Sequence, residues 1–124
     1  MMNTLFKSAV ATTILAISPL ALACDYPVAV DIPSGASATK DEMVSGVNAF
    51  KAWQQALAEY RECIKAETAE AIAALADSDA SPEEQEQSRI ALEKQLTQKH
   101  DASVDDEMTR AEDMNAQIKA YKSK

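Results

Sequence analysis

Between Thr39 and Ala76 the apolar residues fall at Met43, Val47, Phe50, Leu57, Ile64, Ala71 and Leu75, with Trp53, Tyr60 and Ala69 beside them. That three-and-four spacing lays them along one helical face, and Thr68 is the one polar residue on the stripe. Thr39 followed three residues later by Glu42 can form a capping box that satisfies two free amides, so one long helix is predicted from Thr39 to Ala76. A thinner stripe runs through Leu92, Leu96, Val104, Met108, Ala111, Met114 and Ile118, interrupted by His100. Asp77-Ser78-Asp79-Ala80 breaks the first helix. Ser81-Pro82-Glu83-Glu84 starts the second with a cap, a proline at the first helical position and an acid three residues after the cap. Folding about Asp79 sets Ile64 near Leu92, Tyr60 near Leu96, Trp53 near Val104, Phe50 near Met108 and Val47 near Ala111, an antiparallel pair in matching register. Ser103 and Asp106 offer a second cap, which permits a kink or break between Asp101 and Asp106. Lys119, Lys122 and Lys124 close the chain, where cations suit a helix C-terminus.

Ahead of the helices, Lys7 precedes an apolar run from Ser8 to Leu22, and Ala21-Leu22-Ala23 offers small residues at both positions a signal peptidase reads. Residues 1–23 therefore read as a cleaved secretory signal, since the run is shorter than the ~20 residues a membrane span needs. Cys24 would directly follow the cleavage point, which also admits a lipid-modified cysteine there. Residues 24–38 carry Pro27 and Pro33, alternating Val28, Val30 and Ile32, and Gly35. Proline fixes φ and biases its predecessor to extended geometry, so this segment is expected to be an extended arm with one side on the helices, followed by a turn.

The formal net charge is −8, and removing the leader, which holds Lys7 and no acid, makes it more negative. Nucleic acid and anionic membrane surfaces would both be repelled. Cationic partners and divalent ions are permitted. Two cysteines in an exported chain, with none left over, suggest one bridge from Cys24 to Cys63. The helix from Lys40 to Cys63 covers ~35 Å, and the segment Cys24 to Thr39 reaches ~50 Å when extended. The arm can therefore run antiparallel to the helix and meet Cys63. Closing such a loop is worth on the order of 4 kcal/mol in the chain-entropy model.

Cys24, Pro27, Ile32-Pro33 with Gly35, Glu42-Met43 and Tyr60 with Cys63 resemble the pattern of a group of small, uncharacterised secreted proteins of Gram-negative bacteria. The resemblance covers about the first two-fifths of the mature chain. Those relatives tend to carry an acidic residue before the glycine, where this chain has Ser34. The resemblance implies a periplasmic setting and a paired cysteine, and it implies no activity.

Asp77, Asp79, Ser81 and Glu83 resemble the first half of a calcium-binding loop. Pro82 stands where that loop needs glycine, Glu84 at its apolar position and Ser88 in place of the closing glutamate, so an ordinary acidic turn is expected. His100 has Asp101 beside it and Asp105 a turn further, but lacks a second nitrogen or sulfur ligand once the cysteines pair. Thr97 occupies the position of the acid in a Glu-x-x-His pair. His100 is expected to sit partly buried against Leu57 or Tyr60. Cys24 and Cys63 are too far apart in sequence for a thiol-exchange motif. No catalytic, cofactor-binding or metal-ligating residue is assigned, and an enzyme is not expected.

The expected fold is all-α: an antiparallel, coiled-coil-like hairpin over residues 39–124, with the arm of residues 24–38 stapled to its first helix by Cys24–Cys63. The core of such a pair is thin. Either the bridge and arm suffice, or a second copy packs on to give a four-helix dimer. The alanines at 49, 52, 56, 66, 69 and 73 would allow close helix approach, although helix propensity also explains them. The expected role is that of a periplasmic or secreted module holding a protein partner, without a membrane span after signal removal. The alternative is a carrier of a small ligand or divalent metal through the acidic turn or His100.

Overall fold

The computed structural model describes residues 23–124; the expected signal peptide lies outside them apart from Ala23. Helix α1 spans Lys40–Ala76 and helix α2 spans Pro82–Lys122, packed as an antiparallel hairpin with no strand among the described residues. Both starts are capping boxes: Thr39 with Glu42, and Ser81 with Glu84 behind Pro82. Each satisfies two amides that a helix start otherwise leaves free. Helix α1 ends where the Asp77 amide donates to the Ala74 carbonyl and the Ser78 amide and hydroxyl both donate to the Leu75 carbonyl.

The core lies in the half of the hairpin nearer the chain ends. Phe50, Trp53, Leu57 and Met114 form its centre, with Val47, Ala111, Ile118 and, from the arm, Val30 and Ile32 packed against it. Leu57 is fully buried and Ile64 is 2% exposed. The arm, residues 24–38, is the third layer. Cys24 is bonded to Cys63 with their Cα atoms 5.8 Å apart, so the staple joins the arm to α1.

The arm fits α2 at Gly35. A Cβ there would lie 1.8 Å from the Gln117 carbonyl oxygen, and the Gly35 amide donates to Gln117 Oε1 at 2.9 Å. A Cβ on Gly46 of α1 would meet the Pro33 ring at 2.6 Å. Neither glycine has positive φ, so both positions are set by close approach, to the α2 backbone at Gly35 and to the Pro33 ring at Gly46, rather than by conformational freedom. The turn after Gly35 is closed by the Ser37 and Ala38 amides donating to the Ser34 carbonyl. Lys124 Nζ then ties the Ala38 carbonyl to the end of α2.

One question left open by the sequence is settled, and two expectations are corrected. Helix α2 runs unbroken through Asp101 to Asp106, because Ser103 and Asp106 are engaged elsewhere. The Ser103 hydroxyl donates to the His100 carbonyl one turn back at 2.7 Å, and Asp106 accepts from Tyr26 and Arg110. The register is displaced by about one to two turns: Trp53 lies under Arg110 instead of beside Val104, Phe50 packs with Met114, and Met108 is 57% exposed. In the arm, Val30 and Ile32 face the core while Val28 is 89% exposed. Val28 turns outward between Tyr26 and Val30, which are both tied to α2.

Gly35→Ala should lower stability by about 1–3 kcal/mol, the usual cost of forcing extra volume into a filled contact. Urea denaturation measures it, and an unchanged midpoint would show that the arm does not lie tightly on α2.

Candidate interaction site

A partly polar seam holds α1 to α2. Arg61 donates from Nε to the Ser103 hydroxyl at 2.9 Å and from Nη2 to Glu107. Gln54 Nε2 donates to the other Glu107 oxygen at 3.2 Å. The Arg61 and Glu107 side chains are only 16% and 25% exposed, and Ser103 is fully buried. A buried charge without its partner is far more costly than the pair is stabilising, so this set favours one register over its shifted alternatives.

Arg110 joins the seam to the arm. Its Nε donates to Asp106 at 3.2 Å, its Nη1 donates to the Val30 carbonyl at 3.3 Å, and its guanidinium lies 5.4 Å from the centre of the Trp53 ring. Tyr26 adds a second tie: its hydroxyl donates to Asp106 at 2.8 Å and its ring meets Tyr60 edge-on at 5.0 Å. Partial burial and then the bond to Asp106 push the Tyr26 pKa up to about 12.

Among the open surfaces of the described residues, two bear on binding. One is a groove of about 750 Å³ between arm residues 29–33 and the outer flank of α1, with Ser45, Gly46 and Ala49 on the helix side and Asp31, Asp41 and Glu42 around it. The other is the loop-proximal half of the hairpin, which the arm does not reach. No residue from 65 to 102 is buried. Ala71, Ile72, Leu75, Leu92 and Leu96 are half-buried there, and a groove of about 720 Å³ runs past Ala71, Leu75, Ala91 and Leu92.

Of the residues singled out by sequence, Cys24 and Cys63 are brought together. Asp77, Asp79 and Glu83 stay exposed around the interhelical turn, where Ser81 caps α2. The His100 side chain is 40% exposed with Nδ1 3.2 Å from its neighbour Asp101. The observed register sets it opposite Arg61 to Ile64, away from Leu57. Among the described residues, no three His, Cys, Asp or Glu side chains converge to hold a metal ion. Sequence reasoning missed Arg61, Glu107 and Arg110 and read Ser103 only as a helix cap, although all four continue the three-and-four spacing of the Leu92–Leu96 stripe or its α1 counterpart.

Compared with family models, curated proteins and solved structures, the chain matches none of them.

Because the folded state holds the Tyr26 proton more tightly than the unfolded chain, this tie contributes stability below about pH 10. That contribution is lost as pH rises towards about 12. Stability measured from pH 9 to 12 should fall less steeply in Tyr26→Phe than in the unaltered protein; equal slopes would disconnect Tyr26 from the arm's attachment.

Proposed function

We propose that this protein is a small exported interaction module, working in the periplasm or outside the cell by holding a protein partner or a second copy of itself. Its docking face is the half of the hairpin beyond the arm. The observation that carries this reading is the absence of any buried residue from 65 to 102 on two paired helices. Two helices side by side leave part of each apolar stripe in water, and such surface gains free energy when a third element covers it. Further support comes from the disulfide, a bond that persists in oxidising compartments, and from the resemblance to small secreted proteins. No described helix is long and apolar enough to cross a membrane.

A photo-crosslinking side chain placed at Leu75 or Leu92 should capture a partner or a second copy at working concentration, and one placed at the exposed Met108 should not. Products at Met108 with none at Leu75 or Leu92 would move the docking face elsewhere, and no product at any position would remove the reading.

A further inference from the structure

The arm is an extended chain whose own backbone is largely unpaired. Among the described residues, no backbone-to-backbone hydrogen bond involves residues 24–33. The Val30 carbonyl is taken by Arg110 of α2. In a strand the N–H and C=O of alternate residues point to opposite edges. Among the described residues, Ala29 and Asp31 make no backbone-to-backbone hydrogen bond, and both line the groove of about 750 Å³ between the arm and α1. Its α1 wall is low at the small residues Ser45 and Ala49, the slot closes where the Pro33 ring meets Gly46, and Pro27 and Pro33 bracket the free edge. The stretch between the prolines is ~16 Å long, enough for about five residues of a second strand.

We infer that this slot takes an extended segment of a partner protein bearing lysine or arginine, added as a strand to the free edge of the arm. Main-chain bonds to Ala29 and Asp31 would give affinity, and side-chain chemistry would give selectivity. The charge decides between occupants. Asp31, Asp41 and Glu42 line the slot, and no lysine or arginine does. The arm of a second copy would bring the same carboxylates from a chain of net charge −8, so a cationic segment is favoured over self-pairing. Val28, exposed and next in the chain to Ala29 of the slot, would be covered by the same segment. This inference rests on the interaction reading but uses a different surface from the loop-proximal half, so variants at Leu75 and Leu92 leave it untouched.

The test titrates the full chain with an acetylated, amidated heptapeptide of alternating lysine and valine, followed by amide NMR. Saturable shifts are expected at Ala29, Asp31, Ser45 and Gly46. N-methylating the peptide on one set of alternate residues should weaken binding about tenfold, the worth of one or two hydrogen bonds, while methylating the other set should not. The glutamate–valine counterpart should not bind. Ala29→Pro, which removes the amide of a slot residue but no charge, should reproduce the tenfold loss while the helices stay intact by circular dichroism. The absence of saturable shifts, shifts centred on α2 or on residues 65–102, or equal affinity for both methylated peptides and the unmethylated one would overturn strand addition. The last result would leave only attraction between opposite charges.

Discussion

Two helices cannot enclose a core by themselves, and this fold is governed by what is added as the third layer. Each helix buries one stripe against its neighbour and leaves the flanks of that stripe in water. The arm closes one flank. Where Val30 and Ile32 lie over the pair, Phe50, Trp53, Leu57 and Met114 are buried; beyond the arm's reach, none of residues 65–102 is. The Cys24–Cys63 bond matters because a short extended segment has little apolar surface of its own to offset the entropy of ordering it. Its other attachments are spread along its length: Tyr26 to Asp106, Val30 to Arg110, Gly35 to Gln117 and Ala38 to Lys124.

Three of those ties end on α2 and the fourth on Lys124 just past its end, whereas the bridge ends on α1. The arm therefore spans the two helices and resists their sliding past one another. The seam does the same from inside. With Arg61 bonded to Ser103 and Glu107, a shift of one turn would leave a largely buried guanidinium facing the wrong residue. Side-chain bonds inside the pair and backbone bonds from the arm thus select the same register, an agreement between levels expected of a chain that folds to one state.

Helix number, both capping boxes, the turn after Ala76, the arm and the bridge could be read from the residues because each has a local cause: a cap pair, a proline, an alternation or a cysteine count. The register could not. Counting only apolar residues put Met108 on the inner face of α2, whereas the seam passes through Ser103, Glu107 and Arg110 and turns Met108 to solvent. Polar residues at inner positions look like outer ones until their partners on the other element are known. The same holds for Ser103 and Asp106, which have the chemistry of a helix cap but spend it on His100, Tyr26 and Arg110. The two open surfaces were likewise invisible in one dimension, since each depends on where the arm stops.

The most direct measurement of this account is amide hydrogen exchange along both helices of the oxidised protein. Protection should be greatest at residues 43–64 and 103–118, where the arm covers the pair, and should fall through the rest of the hairpin towards the turn at Asp79. Uniform protection from end to end, or a maximum in the loop-proximal half, would contradict an arm-built core and the uncovered surface inferred beyond it.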